Sequence, residues 1–380
     1  MSKTNFELNI IKGIIYGGAI GDALGLATEF MSRNDINKHY ENIKIFTYSD
    51  IVQDYHRSIW KKGDWTDDTD QTIIIMKSII EDSVFNTNTY ANKLIELINN
   101  GLPECDDTKS HGVGNSITLW WGDKYALSNP HKAGLRAFIY NPFNQMSNES
   151  NGGIMKSSVL ATVNFNNIDD VIKNTINMCS VTHPSPICVY SCIVLNYIIA
   201  QLIKTSDRSK KMITDIMFNS IKETKDYIED YINQFKQNIS DILLEENDDD
   251  DMLESIKEII RKKYDSVINN ITTKSIVSKI ETCFYYGSIE LCELDKHIGH
   301  TLKPFICAIY ALDKALNGES FEQIISNIIL EGGDADTNCT VAGSMLGAFY
   351  GYTNIPSSYV NDLVYESVLN NYVEKYIAVI

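Results

Sequence analysis

Four things are missing from this sequence: a Cys-x-x-Cys pair, a basic start leading into an apolar stretch, an unbroken apolar run of membrane length, and an excess of positive charge. An export leader requires the second of these, so the chain is expected to stay in a reducing intracellular compartment, the cytoplasm. There its eight cysteines, at 105, 179, 188, 192, 283, 292, 307 and 339, read as free and mostly buried thiols rather than as a disulfide framework. The most apolar stretch, 187–203, is broken by Ser191, Asn196 and Gln201. A membrane span needs ~20 mostly apolar residues, so this stretch predicts a buried helix and no membrane partner. Lys and Arg number 33 against 50 Asp and Glu, a net charge of -17. Duplex binding depends on neutralising phosphates with basic side chains, which argues against nucleic acid as a partner. An anionic ligand would have to be gripped by metal ions or backbone amides.

What is present is a globular composition, 44% hydrophobic and 22% charged. The length of 380 residues favours two or three domains as a first expectation. The dominant periodicity is helical. Ile14, Gly17, Gly18, Gly21 and Gly25 share one face, with Asp22 beside it. Further helices are predicted over 73–80, 305–316 and 321–330. Alternation is cleanest over 43–52, the best strand candidate. The favoured class is all-α. Residues 204–279 carry Lys-Lys pairs and many Glu and Asn but no Gly and no Pro. They predict a peripheral helical insertion, with the acidic run 245–251 as a solvated loop, because adjacent like charges prefer water.

Two short acidic motifs stand out. Trp65-Thr66-Asp67-Asp68-Thr69-Asp70 precedes one apolar helix, and Gly332-Gly333-Asp334-Ala335-Asp336-Thr337 precedes another. Each sits where a helix should begin, so capping is one reading: an acceptor at the N-cap and acids facing the positive helix end. A cap needs one acceptor, however, not several carboxylates. Asp334 and Asp336 share no helix face and converge only if the chain turns there, as Gly332 and Gly333 permit. Carboxylates with hydroxyls form a hard donor set, suited to Mg²⁺, Mn²⁺ or Ca²⁺ rather than Zn²⁺. An EF-hand beginning at Asp334 fails, because Cys339 and Met345 stand where Gly and Glu are required. A phosphatase-type Asp-x-Asp-x-Thr fails at Asn338. His297 and His300 have no third metal ligand in view. Thr340, Gly343, Ser344, Gly347, Ala348 and Gly351 form a small-residue stripe after the second motif. Two glycine-rich turns, His111-Gly112-Val113-Gly114-Asn115 and Asn151-Gly152-Gly153, can present backbone N–H groups to phosphate. Thr182-His183-Pro184 leads into the apolar stretch.

Taken in order, Gly17-Gly18-Ala19-Ile20-Gly21-Asp22-Ala23-Leu24-Gly25, Trp65-Thr66-Asp67-Asp68-Thr69, the turns at 112–114 and 151–153, Thr182-His183 and Gly332-Gly333-Asp334-Ala335-Asp336-Thr337 resemble the ADP-ribosylglycohydrolase family. That family includes the dinitrogenase-reductase-activating glycohydrolases. Residues 204–279 contribute nothing to the match. The resemblance implies a single-domain, orthogonal all-α bundle over 1–380 around a central binuclear metal cleft, which overrides the length expectation. It implies two divalent cations, Mg²⁺ or Mn²⁺, on Thr66, Asp67, Asp68, Asp334, Asp336 and Thr337. Gly112, Gly114, Asn115, Asn151, Gly152, Gly153 and His183 would line an ADP-ribose cleft. Glu29 resembles the mobile acidic residue that gates the site in some relatives, and Glu29 or Asp68 would move the proton. The implied substrate is an ADP-ribosylated protein or an ADP-ribose-like small molecule, cleaved at the glycosidic bond by a monomer. The alternatives are a non-catalytic relative that binds ADP-ribose or a nucleotide, and a metal-dependent phosphohydrolase.

Overall fold

A glycine every fourth residue along the first helix decides how this molecule is assembled. The computed structural model describes residues 3–141, 149–247, 258, 262, 268–286 and 288–380. Its helices run in chain order as α1 (Asn5–Gly25), α2 (Arg33–Tyr40), α3 (Asp67–Asp82), α4 (Thr87–Asn100), α5 (Asn115–Trp121), α6 (Pro130–Tyr140), α7 (Ile168–Thr182), α8 (Pro186–Lys204) and α9 (Lys210–Asn247). Then follow α10 (Thr273–Cys283), α11 (Leu302–Leu316), α12 (Phe321–Ile329), α13 (Ala335–Tyr350), α14 (Ser357–Asn361) and α15 (Glu366–Val379). Among the described residues there is no strand, and β-type pairing is confined to one isolated bridge between Ser150 and His300. The all-α class read from the sequence is what the chain adopts.

Helix α1 begins at a capping box formed by Thr4 and Glu7 and is buried almost throughout from Ile10 to Gly25. Its glycines at 13, 17, 21 and 25 lie against Gly347, Gly343, Cys339 and Ala335 of α13. One sequence ascends as the other descends, so the two helices are antiparallel. They touch backbone to backbone: a Cβ at Gly17 would overlap the Gly343 carbonyl oxygen, and one at Gly343 would overlap that of Gly17. Tight contact of this kind needs small residues on both helices, which explains the stripe on α13. Helices α11 and α12 pack on α13, and α3 and α15 complete that side.

Helix α8 is apolar on all sides and buried, as its composition predicts. It is the one described helix long and apolar enough to cross a membrane, and nearly all of that span lies inside the protein. Helix α9 lies on α8 and buries Ile213, Ile228, Ile232, Phe235 and Ile239 along one face. The acidic residues 248–251 lie outside the described residues. All eight cysteines are free and buried.

The expected strand over 43–52 is not there. The segment is irregular, with a short 3-10 helix at Tyr48–Asp50. Side chains satisfy its backbone in place of a partner strand. Phe46 N–H donates to Ser326 Oγ (2.9 Å), Phe46 O accepts from the Tyr359 hydroxyl (2.6 Å), and Thr47 N–H donates to Asp50 Oδ2 (2.8 Å). Phe46, Tyr48 and Ile51 are buried without keeping a two-residue period.

Candidate metal centre and cleft

The close α1–α13 contact sets the C-terminal end of α1 beside the N-terminal end of α13, and α3 starts against both. Asp22 of α1 governs that start. Its Oδ1 accepts from Thr66 N–H (3.0 Å) and Thr66 Oγ1 (2.8 Å), and its Oδ2 from Thr69 N–H (3.0 Å) and Thr69 Oγ1 (2.6 Å). A carboxylate from another helix thus satisfies the orphan donors at the head of α3. Burial pushes the Asp22 pKa up to about 6 against the opposing pull of those hydrogen bonds. Thr66 is the N-cap of α3, so capping is part of its role. Its hydroxyl also lies 3.3 Å from Asp336 Oδ2, across 270 residues of sequence.

The second motif turns as its glycines allow. Gly332 and Gly333 have φ of 67° and 76°, and a Cβ at Gly333 would overlap the Leu294 carbonyl oxygen. Asp334 is the N-cap residue of α13 but makes no capping hydrogen bond. Its Oδ2 instead accepts from Asn151 Nδ2 at 2.6 Å. One carboxylate oxygen each from Glu29, Asp334 and Asp336 lie within 4.8 Å of one another. Asp68 Oδ2 and Asp336 Oδ1 are buried with no hydrogen-bond partner. Burial raises the pKa of Asp67, Asp68, Asp334 and Asp336, and the neighbouring carboxylates add to the rise; Asp334 reaches about 7. Buried, crowded, unpartnered carboxylate oxygens are costly unless a cation meets them. The donors are all hard oxygens, and the arrangement fits the divalent cations expected from the sequence.

The centre opens into a cleft of about 620 Å³. Thr66, Asp67, Asp68, Asp334, Asp336, Thr337 and Glu29 line it together with Gly112, Gly114, Asn115, Asn151, Gly152 and His183. Gly153 does not. It lies behind the wall, where a Cβ would press on Cys179 Sγ and His183 Cβ. His183 is buried, and its Nδ1 is 2.8 Å from Thr182 Oγ1. Burial, then the charge of Lys156, hold its pKa well below the ordinary imidazole value.

Several neighbours carry no motif in the sequence. Lys156 is fully buried, and its ammonium donates to Gln71 Oε1 at 2.5 Å. Gln71 Nε2 in turn donates to Asp67 Oδ2 at 2.7 Å. This chain ties the 151–153 turn to the head of α3. Burial lowers the Lys156 pKa to about 8, against the pull of Cys179, Asp67 and Asp68. His56 Nε2 stands 2.7 Å from Glu29 Oε2. Arg57, also buried, donates to the backbone carbonyls of Leu26, Ala27 and Glu29, capping the end of α1. A lone lysine in the run Ile154-Met155-Lys156-Ser157-Ser158-Val159 was the available hint for the first of these. Nothing in the spacing announces the others.

A family model for ADP-ribosylglycohydrolase matches residues 3–380. The chain is 21% identical to the ADP-ribosylarginine hydrolase Tri1 of Serratia proteamaculans (strain 568) over 369 residues, covering 97% of this chain and 79% of that protein. It is also 33% identical, over 86 residues, to an uncharacterized protein of Archaeoglobus fulgidus, covering 22% of this chain and 25% of the other. Among solved structures, an ADP-ribosylglycohydrolase-related protein complex shares the fold with a TM-score of 0.59 at 16% identity, covering 99% of both chains. With the match running from residue 3 to residue 380, the chain belongs to the ADP-ribosylglycohydrolase family.

Proposed function

We propose that the protein hydrolyses the glycosidic bond between ADP-ribose and a modified protein side chain, using two divalent cations held by Thr66, Asp67, Asp68, Asp334, Asp336 and Thr337. Family membership supports a hydrolase of ADP-ribosyl compounds. The observation that carries the finer reading is the meeting of the two acidic motifs in one cleft, with buried oxygens of Asp68 and Asp336 left without partners.

Thr66, Asp67, Asp68, Asp334, Asp336 and Thr337 would hold the cations, which would supply Lewis-acid polarisation and activation of a water. The surrounding carboxylates stabilise the oxocarbenium-like state that attack produces. Asp68 or Glu29 takes the proton from the water. Asn151 fixes the orientation of Asp334, and the Lys156–Gln71 chain fixes Asp67. His183, kept neutral, offers a hydrogen bond rather than a charge to the diphosphate. Gly112, Gly114, Asn115, Asn151 and Gly152 provide the rest of that wall, and Gly153 acts behind it by supporting His183. Since the relative from Serratia is an ADP-ribosylarginine hydrolase, arginine is the first linkage to test.

The test is release of free ADP-ribose from Arg-linked and Ser-linked mono-ADP-ribosylated proteins, with Mg²⁺, with Mn²⁺, with EDTA, and with Asp334→Asn. Metal-dependent release that disappears in the variant is expected. Full activity in EDTA, or no release from either linkage, would overturn the reading.

A further inference from the structure

The isolated bridge between Ser150 and His300 joins the turn that carries Asn151 to the loop that enters α11. On either side of it, the Asn151 N–H donates to the Gly299 carbonyl at 2.9 Å and the Thr301 N–H to the Glu149 carbonyl at 2.8 Å. Side chains repeat the pairing. His300 Nδ1 is 3.1 Å from the Leu302 N–H, which can only donate. The ring hydrogen is therefore on Nε2, which donates to Glu149 Oε2 at 2.9 Å. Lys279 of α10 approaches the other oxygen of that carboxylate, at 3.5 Å. Farther back, the same loop meets the second acidic motif. Lys303 Nζ holds it there by donating to the carbonyls of Cys292 (2.7 Å) and Glu293 (2.9 Å), and the Leu294 carbonyl lies where a Cβ on Gly333 would be. One loop, 293–301, thus backs both of the turns that meet in the cleft, where Asn151 Nδ2 donates to Asp334 Oδ2 at 2.6 Å.

We propose that His300 is a positioning residue for the cation centre: it holds Glu149, and through Glu149 it holds Asn151 at the place from which Asn151 orients Asp334. This rests on the cation ligands proposed above. Asn151 and Asp334 both sit in turns outside the helices, and such backbone is the least fixed part of a fold. A donor to a metal-binding carboxylate, however, has to be held to a fraction of an ångström. The loop supplies that constraint. Glu149 is tied at two points, its carbonyl to Thr301 and its carboxylate to His300, so it cannot turn about its own backbone, and Asn151 is two residues on. His300 is not among the residues that line the cleft, so its effect on the centre has to pass through Asn151.

The experiment is calorimetry of Mg²⁺ and of Mn²⁺ on the folded protein without substrate, in wild type, His300→Phe, His300→Gln, Glu149→Ala, Asn151→Ala and the double variant His300→Phe/Asn151→Ala. Phe keeps a ring and loses both hydrogen bonds, whereas Gln keeps a donor in place of Nε2. His300→Phe is expected to raise the Kd about tenfold, the lower end of what partners of metal ligands cost. Glu149→Ala should do the same from the other side of the bond, and His300→Gln should restore most of the affinity. The double variant should bind no more weakly than Asn151→Ala alone, because the two residues act in series. A bond that merely supported the fold would lower the melting temperature in EDTA and leave the Kd where it was. An unchanged Kd in His300→Phe and Glu149→Ala therefore overturns the proposal, as do losses that add in the double variant; either result leaves the proposed function standing. Wild type that binds neither cation overturns the cation centre and this inference with it.

Discussion

Asp68 and Asp336 each hold a buried carboxylate oxygen that no hydrogen bond satisfies. This is a state a protein keeps for function and against stability. Asp336→Asn, which takes one charge out of the buried crowd of Glu29, Asp334 and Asp68, is therefore expected to stabilise the protein in EDTA and to weaken it relative to wild type once Mg²⁺ is added. Thermal melts with and without the cation check the reversal; the same order in both conditions would count against a metal centre. Lys156 gives a second expectation, in pH. Its native pKa is about 8 against an ordinary 10.5, so between those values the unfolded chain holds the extra proton. Stability then rises with pH in that window, because the unfolded state binds more protons than the native one. Urea midpoints in EDTA at pH 8 and pH 9.5 should therefore climb more for wild type than for Lys156→Met. These two residues also divide what the sequence could reveal. Asp336 was legible because its motif repeats the chemistry of Thr66–Asp70. Lys156 shows only as a lone lysine in its run, because its meaning comes from Gln71, 85 positions away, and no local period encodes that pairing. His56 was hidden for the same reason: Glu29 reaches it only through the fold.

Among the elements, α1 and α13 were the most readable. A four-residue glycine period has few uses other than close helix contact, and the structure uses it that way. Gly17→Ala reverses the ordinary rule that alanine stabilises a helix over glycine by roughly 0.5–1 kcal/mol. Here the added methyl meets a carbonyl oxygen, and a loss of about 1–3 kcal/mol is expected from overpacking. Gly299→Ala, which meets open space, is the control and should change little. Denaturant midpoints decide, and metal affinity should fall with Gly17→Ala alone, since α13 carries Asp336 and Thr337. Alternation over 43–52 points to a strand that the chain does not form. The backbone groups of that segment are instead satisfied by Ser326 and Tyr359, side chains about 280 and 313 positions away, which a window of ten residues cannot contain.

For the molecule as a whole, the net charge of -17 limits the form of the substrate. A long anionic polymer gains little from such a surface, so under the proposed function the expected substrate is a single ADP-ribose unit on its carrier. Filter binding of long poly-ADP-ribose at physiological salt is expected to be negligible under conditions where calorimetry detects ADP-ribose; comparable retention of polymer would contradict it. The α1–α13 contact has a different consequence, one of timing. The glycine face of α1 has no partner until residues 335–347 have been made, more than 300 positions later. During synthesis that face waits uncovered, and long-range pairings of this kind form late. A nascent chain stopped before residue 334 therefore lacks Asp334, Asp336 and Thr337, three of the six proposed cation ligands, as well as the helix that would bring the other three into place. Under the function proposed above, a copy interrupted before α13 is expected to be inert rather than partly active.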